Sequence, residues 1–439
     1  MSIECRHKNV LLALRAVFHG RKFFLYGFIP LVAMRFLGFV FHEMAFGLLS
    51  VFLPLYIVNT LHGTLTDVGV MIAVAYFVAV PFSFLWGYLC DRMRRYRLFI
   101  LISFLGMSAL FYVFSLTTSI LLLIVLYGLI AVFHSAHEAP KNVLIAEDYT
   151  RADWEHNFAS YEAQTDVGWI TGLVLGFVFS LVGLASVWFI LFVSFLNLVG
   201  FVFSIFLVHD PVFIFERKLV AAERFFDFAH RGFAVASRAL AGARVTESLK
   251  SESLTIFCMG LFSFFFATNM LFTPLPVFFN SVHYLNLTES VVFIVFIFNT
   301  LGGTVGYVLA GRRAEISDER GVIGRAALSR TLLSLLLVLA AVWGSVLLGL
   351  AHAFMAGLAV LILVLMGLVY GLFWIASLSL SMELIPEGKA GLFNALVGLG
   401  GAFGCFLGTL FAQSYGFSML FVIVAIVFVL SYVAFKTYV

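Results

Sequence analysis

The residues able to do chemistry in this chain are ionisable side chains set inside long apolar stretches. From Tyr127 to Asp148 the sequence places Tyr127, His134, Glu138, Lys141 and Asp148 at separations of 7, 4, 3 and 7. That spacing puts them on one stripe of a helix, with His137 beside it. Another stretch carries His42-Glu43 near its centre, and Arg35, seven residues before His42, shares its face or snorkels to the inner membrane surface. A third adds Glu162 and Asp166, four apart. Ionisable groups at bilayer depth are costly unless paired or wetted, so these positions are candidates for function. Imidazole and carboxylate suit two tasks, carrying protons and binding first-row divalent ions. Glu138 and Lys141 can pair at i, i+3 and are expected to stay ionised as a structural pair. Glu43 has only His42 nearby as a cation and is the carboxylate expected to load and release a proton, with Asp166 next. Divalent-metal export from the His/Glu cluster is the alternative.

The elements that must hold these groups follow from composition. Of the 439 residues, 63% are hydrophobic and 11% charged, against about half and about a quarter in an ordinary soluble domain. Such a chain cannot cover itself with polar groups in water, which excludes a soluble enzyme, a nucleic-acid-binding protein, a disordered chain and a disulfide scaffold. The net charge of +3 is small, and the four cysteines (Cys5, Cys90, Cys258 and Cys405) are scattered. The basic N-terminal region lacks the pattern of a cleavable signal peptide.

Twelve stretches are long and apolar enough to span, near 29–58, 67–89, 98–117, 119–146, 158–182, 185–208, 254–280, 289–310, 327–350, 355–382, 391–412 and 416–435. All 26 Lys and Arg fall in or near alternate loops and the termini, which predicts cytoplasmic termini and an all-α membrane protein. Residues 1–208 and 251–439 are read as two six-helix bundles. Residues 209–250, basic with interleaved Phe225, Phe226 and Phe233, are read as an amphipathic linker on the inner leaflet. The halves echo each other: Pro54 with Pro274 or Pro276, Trp86-Gly87-Tyr88 with Val305-Gly306-Tyr307, and Thr66-Asp67 with Thr288-Glu289, at offsets of 219 to 222. Each Thr–acid pair is read as a hydroxyl N-cap followed by an acid. The second half offers neutral polar groups: Thr268, Asn269, Asn299, Thr300, the single face of Tyr370, Trp374, Ser377 and Ser381, and Asn394. Gly168, Gly172 and Gly176 form a packing face at i, i+4, i+8.

Between the second and third stretches stands Gly87-Tyr88-Leu89-Cys90-Asp91-Arg92-Met93-Arg94-Arg95. This turn, with the topology, resembles the major facilitator superfamily, whose motif there is Gly-x-Leu-Ala-Asp-Arg-x-Gly-Arg-Lys. Gly87, Leu89, Asp91, Arg92 and Arg95 fit it, and Arg94 stands where the motif has Gly. The resemblance implies a fold of two six-helix bundles with spans one, four, seven and ten lining a central cavity. It also implies that Asp91 sits against the start of span eleven, near Lys389, when the cytoplasmic side is shut, and that the matching arginine meets Glu147 or Asp148.

The function expected is therefore secondary active transport of a small solute by alternating access, proton-coupled, in the plasma membrane. No cofactor, no nucleic-acid partner and a single chain as the working unit are expected. No P-loop, zinc-protease helix or nucleophile elbow is visible, which argues against an enzyme. A non-transporting sensor or lipid-handling protein on the same scaffold is the reading from another class.

Overall fold

The computed structural model describes residues 36–147, 154–210, 245–313, 319–343, 346, 350–384 and 391–438. Every regular element among them is a helix. The long ones are α1 (Leu37–Leu55), α2 (Leu65–Met93), α3 (Tyr96–Phe114), α4 (Ile120–Glu147), α5 (Trp154–Val182), α6 (Ser186–Leu207), α7 (Val245–Phe272), α8 (Glu289–Arg313), α9 (Glu319–Trp343), α10 (Leu350–Leu384) and α11 (Gly391–Tyr438). Each of the eleven is long and apolar enough to cross a membrane. The sequence predicts twelve stretches; the difference lies in α11. It runs through both of the last two, but the backbone at Gly416 leaves the helix, at φ 80° and ψ 168°. After that break the chain packs back on α7, where the Ser431 hydroxyl donates to the Gly260 carbonyl at 2.9 Å.

Local chemistry explains the ends. Pro54 lies in the last turn of α1, and the chain continues as one π-helical turn, Tyr56–Thr60. α7 stops before Pro274, which caps a short helix, Leu275–Asn280. α2 begins with a capping box in which the Thr64 hydroxyl accepts from the Asp67 amide at 3.1 Å and the Asp67 carboxylate from the Thr64 amide at 2.7 Å. The N-cap is thus Thr64 and not Thr66. A box needs its acid three residues on, and Thr66 is spent elsewhere, donating to the Gln413 side chain. Thr288 does cap α8, its oxygen facing the Val291 amide at 3.5 Å.

Packing pairs the helices in two like sets. α1 lies on α5 and α6, α2 on α4, and α3 on α4 and α6; α7 lies on α11, α8 on α10, and α9 on α10 and α11. The sets meet along two seams, α2 with α11 and α5 with α8. Glycines make the closest crossings. A side chain at Gly168 or Gly172 of α5 would strike the α1 backbone at Val40 or Met44, and one at Gly404 or Gly408 of α11 would strike the α7 backbone at Phe266 or Met270. α1–α5 and α7–α11 are equivalent pairs, so one small-residue device is used twice.

Candidate functional site

The densest group of chemically able side chains lies inside the first helix set. α1 supplies His42, α4 supplies His134 and His137, and their rings touch pairwise, with centroids 4.7 to 5.2 Å apart. His42 Nε2 is 3.2 Å from His134 Nδ1. Behind His42 stands Asn197 of α6, whose Nδ2 donates to the Val193 carbonyl at 2.9 Å, which turns Oδ1 toward His42 Nδ1 at 3.0 Å. An amide oxygen only accepts, so His42 carries its proton on Nδ1 and presents a bare Nε2 to His134. Ser103 of α3 lies 3.0 Å from His137 Nδ1. Phe39 and Phe104 pack on His42 or His137, and Phe46 on His42 and His134.

Directly after His137, α4 carries an ion pair. Glu138 Oε1 is 3.2 Å from His137 Nε2 and its Oε2 accepts from Lys141 Nζ at 2.7 Å. Lys141 also lies over the Tyr161 ring, 5.7 Å from its centre. Among the described residues these are the ion pairs of the helix interior. Glu43, half-buried on α1, lies within electrostatic range of Lys141, Glu138, Glu162 and Asp166 without pairing with a cation among the described residues. Asp166 faces the second helix set, and its Oδ2 accepts from the Thr304 hydroxyl of α8 at 2.8 Å. Glu162, one turn before it, approaches the Trp374 indole of α10 without a hydrogen bond to its buried Nε1.

In the second set, Tyr370 stacks on Trp374 with centroids 6.0 Å apart. Asn269 accepts from the Tyr76 hydroxyl of α2 at 3.3 Å, joining the two sets. Asn299 instead donates to the Leu363 carbonyl at 2.7 Å, tying α8 to α10, and Ser377 donates within its own helix to the Trp374 carbonyl at 3.0 Å. Asn394 is exposed on α11, and Tyr127 is half-buried on α4. Gly87 lies in the last turns of α2, Arg92 and Arg95 are exposed beside its end, and Arg94 closes it. Arg35, Asp148 and Lys389, and the side chains of Asp91 and Glu147, lie outside the described residues.

Sequence reasoning passes over Arg330. It is 1% exposed on α9 and sits 5.2 to 5.8 Å from the ring centres of Phe264, Phe272, Tyr370 and Phe428. Its guanidinium donates to the Met366 carbonyl at 2.9 Å and Thr268 at 3.3 Å. No carboxylate pairs with it among the described residues. Its signal was present: Arg330 lies more than a turn deeper than Arg325, where a purely topological arginine has no reason to be. Asn197, the one amide in a 22-residue helix whose other polar side chains are serines, was legible in the same way.

A family model described as Major Facilitator Superfamily matches residues 35–408. Among solved structures, that of a mutant of the nucleoside transporter NupG superposes with a TM-score of 0.66 at 14% identity, covering 93% of this chain and 99% of that one. The structure of NupG without that mutation gives 0.63 at 15%, covering 93% and 98%. At such identities the likeness is one of fold. No curated protein sequence matches the chain.

Proposed function

The chain belongs to the Major Facilitator Superfamily, and from that membership we propose that it is a secondary active transporter, coupling movement of a small solute to protons by alternating access. In this reading α11 crosses twice, the break at Gly416 being its turn. That makes twelve crossings, two bundles joined by residues 209–250, and both termini on the cytoplasmic side of the plasma membrane.

The observation that carries the coupling is the Asp166–Thr304 hydrogen bond, because it crosses the seam that alternating access must open. When α5 and α8 part, the Asp166 carboxylate loses a donor held by the other bundle, so its proton affinity depends on the state of the transporter. That dependence is what couples a proton to a conformational cycle. Glu162, one turn away beside Trp374, faces the same seam and is the second carrier. The neighbours in fold are nucleoside transporters, so a nucleoside is the first solute to try.

The test uses protein reconstituted in liposomes with a trapped pH-sensitive dye, to which uridine, adenosine and then a panel of sugars and amines are added. The expected result is proton movement on addition of one solute class, lost in Asp166→Asn while exchange of labelled for unlabelled solute persists. Solute flux indifferent to a pH gradient would overturn the coupling. Solute binding without flux would favour a sensor.

A further inference from the structure

Three imidazoles meeting inside a membrane bundle need an explanation that solute transport along the seams does not supply. His42, His134 and His137 each offer a ring nitrogen, and the three lie within 4.8 Å of one another. Two of them, His42 Nε2 and His134 Nδ1, are already 3.2 Å apart. Ligand nitrogens about 2.0–2.1 Å from a tetrahedral Zn²⁺ stand roughly 3.3 Å apart, so this pair has the spacing of two ligands and the third must close by up to about 1.5 Å. The surroundings are those of a metal site too. A ligating histidine ordinarily gives its other ring N–H to an oxygen that fixes its tautomer. Asn197 Oδ1 does this for His42, and the Ser103 hydroxyl stands at the corresponding place on His137. Glu138, against His137, supplies a negative charge near a dication.

We propose that His42, His134 and His137 bind one first-row divalent cation such as Zn²⁺ or Co²⁺, held as a resident ion of the first bundle and not as cargo. Its place decides between the two. The ligands come from α1 and α4, their supports from α3 and α6, and the walls are Phe39, Phe46 and Phe104. All belong to one helix set, so opening either seam leaves the site intact. His42 and His137 are fully buried, and His134, the half-buried member, is the side from which the ion enters. Bound there, the ion ties α1 to α4, two helices that share few direct contacts.

The experiment uses full-length protein in nanodiscs, freed of affinity tag, stripped with chelator and titrated with Co²⁺. The expected result is visible d–d absorption of nitrogen-ligated, low-symmetry Co²⁺ saturating at one ion per chain and bleached by Zn²⁺. His134→Ala removes a ligand and weakens binding at least a hundredfold. Ser103→Ala, a small change behind the site that leaves the fold intact, weakens it about tenfold, at the low end for a lost outer partner. Absence of the bands at millimolar Co²⁺ overturns the proposal, as does unchanged affinity in Ser103→Ala or in a monodisperse His134→Ala protein. Neither readout requires solute movement, so the site and the transport reading stand or fall separately.

Discussion

Arg330 poses the sharpest question at the scale of single residues, since a guanidinium in a membrane bundle with no acid against it among the described residues must be stabilised in another way. Four aromatic faces do this, each cation–π contact contributing up to about 2 kcal/mol when desolvated. The planar fork also reaches Thr268 on α7 and Met366 on α10 together. An ammonium is compact, more strongly hydrated and cannot span both acceptors. Arg330→Lys is therefore expected to lower the melting temperature in detergent by several degrees, and more than Arg330→Met, which fills the cage with a neutral chain of similar length. If the lysine variant is the more stable, the cage is not what holds the charge. The same scale shows what a linear sequence conceals. His134, Glu138 and Lys141 were legible because one helix carries them at fixed spacing. Asn197 and Ser103 were not readable as the partners of His42 and His137, because those contacts join residues 155 and 34 apart and depend on which helices pack together.

Elements are positioned by a few backbone devices, and the end of α2 shows one under strain. Arg94 closes that helix in the left-handed conformation, φ 52° and ψ 35°, with its amide donating to the Cys90 carbonyl at 2.8 Å. This is the position where the superfamily motif has Gly, and the reason is conformational: a Cβ there costs about 1–2 kcal/mol. Arg94→Gly is expected to stabilise the turn by about 1 kcal/mol, offset in part by the freer unfolded chain. Chemical denaturation of the two proteins side by side measures it, and a loss of stability would mean the Arg94 side chain makes compensating contacts. The glycine crossings run the other way. Gly404 of α11 lies on the α7 backbone, so Gly404→Val must push the helices apart, at a cost of about 1–3 kcal/mol. Gly357, with nothing near its missing side chain, should accept alanine without loss. The spacing of Gly168 and Gly172 announced one such face, whereas Gly176, the third of that run, meets Phe293 of α8 instead. The matching run Gly400, Gly404 and Gly408 reads as mere apolar helix until its partner is known.

Taken whole, the molecule is held shut at one end. There Thr66 donates to Gln413 through both its hydroxyl, at 2.6 Å, and its amide, at 2.9 Å, joining α2 to α11. Asn59 Nδ2, just past α1, donates to Asn280 at 3.0 Å and to Glu289 at 2.9 Å. Ser180 and Ser290 approach across α5 and α8 at 3.4 Å. The loops at this end contain no Lys or Arg, so in the proposed orientation it is the outer face. The eleven long apolar helices described here were legible in sequence as apolar stretches, the last of them as two. The closure was not, because Asn59, Gln413 and Asn280 are ordinary loop and helix-end residues until two halves are brought together. A hydrogen bond contributes about 0.5–1.5 kcal/mol net, and more when one partner is charged. Removing the Asn59 pair and the Thr66 hydroxyl together should therefore cost the shut state about 2 kcal/mol, roughly thirtyfold in its equilibrium with the outward-open state of the proposed cycle. Spin labels at His62→Cys and Tyr415→Cys, both exposed at this end, read the separation of the halves in a background without other reactive cysteines. The parent should give one short distance, and the Asn59→Ala, Thr66→Ala double variant a second, longer one that grows at its expense. A distance distribution unchanged by the double variant would place the closing energy elsewhere, in the apolar contacts of the seams, where Phe77 meets Phe403 and Gly176 meets Phe293.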